Sequence, residues 1–311
     1  IRLEQTMAID NHRRVRSFRR FHSRDEQKRH ELKVCRAVTK YIGNIVGEEL
    51  KITHKPDDEN RNTPAPDYIA SGTNSHYVLE HTLIESFLGQ TASDQPFLAI
   101  CSRLELETFV GGFLPPAAYQ LLVCDRNEIL QARNWDAIHD ALADWIRVNA
   151  EAVSKQAETA TAQRASLRAT PQGVPFEVEL HSFVDSKFSL RVLSRMPEKI
   201  EEKRLERVCI ALNAKCPKLA AGKAASQEGT RSALVLEMYD IALGNTNDAY
   251  TALLTALNGR FGDIPDDVYL VRTETSTWEV WPLKIGDNRR IYLTCSPFTI
   301  KHRELDEEVK L

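Results

Sequence analysis

The chain has 311 residues, of which 42% are hydrophobic and 27% are charged, and its formal net charge is −3. This balance is typical of a soluble protein with enough apolar residues for one large core or two modest ones. It argues against a uniformly basic nucleic-acid binder, so any contact with nucleic acid would come from a local patch. No apolar run is long enough to span a membrane and no signal-peptide core is recognised, so we expect a cytoplasmic protein without a membrane partner.

The cysteines argue against two further classes of protein. All six are scattered along the chain, and no two of them form a CxxC pair. A zinc site or a disulfide framework needs closer or more regular spacing. We therefore expect reduced and mostly buried thiols.

Residues 1–23 form a basic N-terminal arm. Its candidate nucleic-acid-binding residues are Arg13, Arg14, Arg16, Arg19 and Arg20. One interpretation is a surface that contacts phosphates. The other is a solvated arm followed by a helix with a charged outer face.

The first predicted elements are a helix, a strand and a hairpin. The helix covers about 24–46, where Leu32, Cys35, Val38, Ile42 and Ile45 recur at spacings of three and four. A strand over 48–55 and a polar loop over 56–66 follow. The hairpin then consists of a strand at 67–70, a Gly/Asn/Ser turn at 71–75 and an apolar strand at 76–83.

The hairpin places two acidic residues on neighbouring strands. Side chains alternate across a strand, so Val78, Glu80 and Thr82 share one face while Leu79 and His81 take the other. Glu80 therefore lies on an otherwise apolar strand, opposite Asp67. Because buried carboxylates are costly without a partner, their convergence indicates a bound divalent cation.

The rest of the chain predicts a long insertion and then a second set of core elements. Within the insertion, 88–195, we expect a strand at 117–124, a helix at 134–160, a mobile link at 156–171 and an antiparallel pair at 174–183 and 188–193. The later elements are a helix at 196–219, a buried strand at 232–241, a helix at 247–260, strands at 268–273, 277–284 and 291–294, and an exposed tail at 303–311.

Pro66-Asp67 at the start of one strand and Glu80-x-Thr82 on the next resemble the PD-(D/E)xK nuclease superfamily, which has the restriction-endonuclease-like fold. The order of the predicted elements, αβββαβ, is the order that this resemblance requires. It implies an α/β fold in which residues 1–311 form a single nuclease-like domain, with a mixed central sheet and the long insertion at 88–195.

The resemblance also assigns roles to individual residues. Asp67 and Glu80 would bind Mg²⁺ or Mn²⁺, helped by the backbone carbonyl of His81, and Glu31 on the first helix is a further candidate ligand. Thr82 stands where the motif usually has lysine. In some branches that lysine comes from the second long helix, which makes Lys215 and Lys218 the catalytic candidates. As ordinary residues, Glu31 would be an exposed helix glutamate and the two lysines would stabilise a helix C-terminus.

What the resemblance implies is a metal-dependent nuclease that hydrolyses phosphodiester bonds in nucleic acid, chiefly DNA, in restriction, repair or phage defence. It also allows a homodimer in which each subunit cuts one strand. Two alternatives stay open. One is an inactive nuclease-fold protein that binds nucleic acid or a protein partner, and the other is an unrelated α/β binding protein with Asp67 and Glu80 on its surface.

Overall fold

The fold was examined in a computed structural model, which describes residues 24–56, 65–86, 90, 97, 99–100, 103–105, 114–115, 117–124, 133–184, 189–195, 198–238, 246–260, 262–273, 276–288 and 296–306. These residues form two compact units. The first unit contains the described residues of 24–86 and 198–306, and the second contains those of 90–195. The arginines predicted to bind nucleic acid, at positions 13 to 20, lie outside the described residues.

The secondary structure mixes long helices with short strands. The described helices are α1 (Arg24–Val46), α2 (Trp135–Thr159), α3 (Ile200–Ala224) and α4 (Thr246–Asn258), with a 3₁₀ turn at His302–Leu305. The described strands are β1 (Lys51–His54), β2 (Tyr68–Ser71), β3 (His76–Leu83), β4 (Ala118–Val123), β5 (Arg164–Ala169), β6 (Val178–Phe183), β7 (Ser189–Ser194), β8 (Arg231–Met238), β9 (Asp267–Arg272), β10 (Thr277–Ile285) and β11 (Phe298–Lys301). None of these helices is long and apolar enough to cross a membrane.

The first unit is built on a large mixed sheet. Its strands follow the order β1-β2-β3-β8-β9-β10-β11 among the described residues. The central strands β3, β8 and β9 run parallel, and the outer neighbours pair antiparallel. Residues of both terminal strands, including Ile52 and Thr299, line one cleft with α1, so the sheet curls around that helix.

Helices cover both faces of this sheet because its central strands are apolar on both sides. On one face, Leu79, Ala233 and Val235 pack in a cluster with residues of α1 such as Val38. On the other face, Val78, Leu234 and Leu236 pack against α3 and α4. The alternation predicted for β3 is confirmed, since Val78 and Leu79 belong to opposite clusters.

The second unit has its own small sheet, with the strand order β5-β6-β4-β7. One face of that sheet packs in a cluster with α2, through side chains such as Leu121, Leu180 and Ile146. The division between the units falls at residues 88/89 and 197/198, whereas the sequence predicts one domain with an insertion at 88–195.

Two predictions about the second unit are wrong. The segment 156–171 is not a link, because α2 continues to Thr159 and β5 occupies Arg164–Ala169. The strands predicted at 174–183 and 188–193 do not pair with each other. Instead, β4 lies between them, antiparallel to β6 and parallel to β7.

The ends of several elements in the first unit also differ from prediction. The strand expected at 48–55 is shorter, and α3 runs through Pro217 to Ala224 instead of ending at 219. The strand predicted at 291–294 lies outside the described residues. The tail is not wholly exposed, because Leu305 is fully buried.

Candidate active site

Asp67 stands at the start of β2, where the chain enters the large sheet. Pro66, which precedes it, packs so closely against α3 that a Cβ atom on Gly222 would lie 2.9 Å from the Pro66 ring. The carboxylate of Asp67 accepts a hydrogen bond of 2.8 Å from the backbone N–H of His81. Asp67 is therefore held by both the helix and the neighbouring strand.

Glu80 lies in the middle of β3 and points toward α3, and its side chain is 0% exposed. Neither of its carboxylate oxygens accepts a hydrogen bond of ordinary geometry from the described residues. Burial, followed by the charge of Asp67, raises the pKa of Glu80 to about 7, although Lys215 and Lys218 act in the opposite direction. Such a carboxylate is stabilised by a nearby cation.

Lys215 supplies a cation from α3. Its Nζ lies 2.6 Å from Glu80 Oε2 and 3.3 Å from Asp67 Oδ2, so one ammonium group bridges the two carboxylates. Burial acts to lower the pKa of Lys215, but the charges of Asp67 and Glu80 outweigh it and raise the pKa. Lys218, one turn later, lies 4.0 Å from Glu80 Oε1 and is more exposed.

These contacts bring together residues from β2, β3 and α3 that the sequence analysis named separately. Comparison with known proteins found no matching family model, no matching curated protein and no matching solved structure. The chemistry of the site is therefore argued from its own residues.

His81 has its backbone at the site but its side chain on the opposite face of the sheet. There His81 Nε2 lies 2.9 Å from Glu237 Oε2, and His30 Nε2 lies 2.5 Å from Glu237 Oε1. Thr273 donates a third hydrogen bond, 2.7 Å long, to Glu237. Burial acts to raise the pKa of Glu237, but the hydrogen bonds from His30 and His81 outweigh it and hold the pKa far below its usual range.

Sequence reasoning did not name Glu237 or His30. The available signal was weak: Glu237 is an acidic residue at the end of the apolar stretch that became β8. Such a residue is expensive to bury alone, so it predicts a partner without saying which one. The partners come from α1, β3 and the end of β9, which meet only in the folded chain.

Glu31 lies on α1, where it accepts a hydrogen bond of 2.9 Å from Gln27. Its charge helps to raise the pKa of Cys35, after burial and Asp67, so it lies on the side of α1 that faces this region. Within the described ranges, no group of three or more His, Cys, Asp or Glu side chains is placed to hold a metal ion.

The two carboxylates nevertheless suit a small divalent cation. Mg²⁺ prefers oxygen ligands and is commonly held by one or two carboxylates, with water completing its shell. Asp67 and Glu80 share one cation already, and the Glu80 oxygens are buried without hydrogen bonds from the described residues. The donor set therefore fits the ion that the motif implies.

Proposed function

We propose that this chain is a divalent-metal-dependent nuclease of the PD-(D/E)xK type, which hydrolyses phosphodiester bonds in DNA. One observation carries the proposal. Asp67, Glu80 and Lys215 converge from three elements, with Lys215 Nζ 2.6 Å and 3.3 Å from the two carboxylates. Two acids and a lysine beside them are the groups that metal-assisted phosphodiester hydrolysis requires.

The topology of the first unit supports the same proposal. Helix α1 is followed by the antiparallel strands β1, β2 and β3, and α3 then leads to β8, which is parallel to β3. Helices α1 and α3 pack on opposite faces of the sheet. This is the αβββαβ arrangement of restriction-endonuclease-like proteins, in which the two acids lie on the second and third strands.

The metal would be held by the carboxylates of Asp67 and Glu80 and by the backbone carbonyl of His81. When bound, such an ion lowers the pKa of its water and offsets charge on the phosphoryl group. In the reaction, an oxygen of water forms a bond to phosphorus, one ester P–O bond breaks and the leaving oxygen takes a proton.

Lys215 has the role that the motif normally gives to the strand lysine. Its raised pKa keeps the ammonium group charged at neutral pH, so it attracts a phosphate oxygen or steadies hydroxide. Asp67 is kept in place by the N–H of His81, which limits the loss of geometry when substrate enters. Thr82 lies on the same strand and leaves this task to the helix.

Cleavage of supercoiled plasmid DNA in Mg²⁺ or Mn²⁺ tests the proposal. We expect Asp67→Asn and Glu80→Gln each to lower the cleavage rate by at least about 100-fold, because each removes a charged ligand from the metal. Glu201→Gln, on the exposed first turn of α3, is the matched control and should cleave normally. Equal rates in the site variants and the control would refute the nuclease assignment.

A non-catalytic nucleic-acid-binding protein of the same fold is the second candidate. The observation that favours it is the ammonium group of Lys215, which compensates both carboxylates without a metal. Thr82 in the lysine position points the same way. No cleavage with either metal, together with DNA binding that is unchanged by a chelator, would select this alternative.

A further inference from the structure

The small sheet of the second unit has one face that does not pack against α2. The side chains that alternate away from the α2 cluster define this surface, here called the arginine face: Gln120, Leu122, Arg164, Ser166, Arg168, Glu179, His181, Phe183, Arg191, Leu193 and Arg195. Both edge strands of this face are open to solvent. Arg164, Arg168, Arg191 and Arg195 are exposed, and Leu193 is 43% exposed.

Positive charge prevails on the arginine face. Four arginines stand against Glu177 and Glu179, and the carboxylate of Glu105 also lies near Arg191. Arg168 pairs with Glu177, and Arg195 lies 3.6 Å from Glu179. Arg164 and Arg191, on the two edge strands, therefore carry the excess charge.

Two rings lie between these arginines. His181 and Phe183 stack on β6 with ring centroids 6.2 Å apart and planes inclined by 24°. Strand register places Arg164 directly opposite Phe183, and Gln120 between His181 and Arg191. The face thus combines flat rings at its centre with guanidinium groups at its edges.

This combination matches the chemistry of an unpaired nucleic-acid strand. Aromatic rings on a sheet can stack with bases, and flanking arginines can pair with phosphates. Bases in a duplex are stacked on each other and would not reach rings at the centre of a flat sheet. We propose that the arginine face binds single-stranded nucleic acid.

This proposal goes beyond the nuclease function and does not depend on it. The arginine face belongs to the second unit, whereas Asp67, Glu80 and Lys215 belong to the first. Binding can therefore be measured in a chelator, where metal-dependent cleavage does not occur.

The test is fluorescence anisotropy of the full chain with labelled single-stranded DNA, single-stranded RNA and duplex DNA of equal length. We expect tighter binding of a single strand than of the duplex. Arg164→Glu combined with Arg191→Glu should weaken binding by about tenfold or more and reduce the salt dependence by roughly 0.7 per lost phosphate contact. Comparing the DNA and RNA strands shows which sugar is preferred.

A second variant tests the rings. Phe183→Leu keeps an apolar side chain but removes the stacking surface, so we expect about tenfold weaker binding, and Phe183→Tyr should restore it. Arg147→Glu, on the exposed side of α2, is the charge-matched control and should bind like the unaltered chain. Circular dichroism checks that every variant is folded.

Two results would overturn the proposal. One is duplex DNA that binds as tightly as the single strands. The other is an Arg164/Arg191 double variant whose affinity stays within about twofold of the control. Loss of binding in these variants with unchanged affinity in Asp67→Asn would support the arginine face and leave the nuclease assignment to its own assay.

Discussion

Two lysines on α3 lie near Glu80, and their positions differ. Lys215 is 2.6 Å from Glu80 and also contacts Asp67, whereas Lys218 is 4.0 Å from Glu80 and 31% exposed. Exposed charge pairs are screened by water and contribute little, while a cation fixed against two carboxylates keeps its effect. The two residues should therefore differ in function although both are lysines one turn apart.

Lys215→Met should reduce plasmid cleavage by about 100-fold or more, because it removes the cation that faces the reacting phosphate. Lys218→Met serves as the paired comparison and should reduce cleavage by less than about tenfold, since its charge is partly solvated. Initial rates at saturating Mg²⁺ distinguish a catalytic effect from weaker metal binding. A larger loss in Lys218→Met would reverse the assignment.

The raised pKa of Glu80 also predicts how the stability of the metal-free chain depends on pH. An acid whose pKa is raised by folding contributes stability that is complete below its unfolded pKa and is lost as pH rises through the folded pKa. For Glu80 the window runs from the ordinary value of 4.5 to about 7.

Glu80→Gln removes this titration, so its stability relative to the unaltered chain should rise by roughly 2–3 kcal/mol between pH 5 and pH 8. Urea unfolding in a chelator at both pH values measures the difference. Glu201→Gln, at an exposed position, should show no such change. A stability difference that is the same at both pH values would contradict the buried, protonated state of Glu80.

The main residues of the site could be named from sequence because the motif is local. Pro66-Asp67 and Glu80 lie on one hairpin, and Lys215 follows from the missing strand lysine and the next long helix. The arrangement around Glu237 could not be named, because its partners come from distant positions and meet only after folding. Burial creates the need for those partners, and burial is a property of the folded chain.

At the scale of elements, the close contact between α3 and the entry to β2 sets the position of Asp67. Gly222 is buried against Pro66, where an added Cβ would lie 2.9 Å from a ring that has little freedom to move. Helix propensity favours alanine over glycine by up to about 1 kcal/mol. At this contact, the cost of overpacking is expected to be larger.

Gly222→Ala should lower the free energy of unfolding by about 1–2 kcal/mol and slow cleavage, because the helix must move away from Pro66. Gly259→Ala is the control, since the nearest atoms to its added Cβ lie 3.9 Å away or more. Chemical denaturation and cleavage rates should be measured for both variants. An unchanged or increased stability in Gly222→Ala would show that the contact has slack.

Most elements of the first unit were predictable because apolar periodicity is strong where strands and helices are buried. The end of α3 was predicted too early because Pro217 and Gly222 usually terminate helices. Here Cys216 and Leu219, which are 1% exposed, hold the last turns against the sheet. The pairing of β6 and β7 was mispredicted because periodicity identifies a strand but not its neighbour.

At the scale of the whole molecule, the two units have separate cores. Leu121 is fully buried in the cluster of the second unit, and Leu234 is fully buried in the first. Each unit therefore has the apolar contacts needed to unfold as a cooperative unit of its own.

Leu121→Ala should destabilise the second unit by about 2–5 kcal/mol, the usual cost of a large cavity in a core. Hydrogen exchange should then accelerate in β4 and β6, while β3 and β8 keep their protection. Leu234→Ala should produce the reverse pattern. Equal acceleration in both sheets after either substitution would show that the units unfold together.

The long separation between Asp67 and Lys215, 148 positions along the chain, has a consequence for synthesis. A ribosome adding about 5–20 residues per second needs roughly 7–30 s to travel that distance. During this interval the nascent polypeptide already carries both acids, yet the lysine and the adjoining strand β8 have still to be translated. Any DNA-cutting activity would thus be born late, when almost the whole chain has left the ribosome.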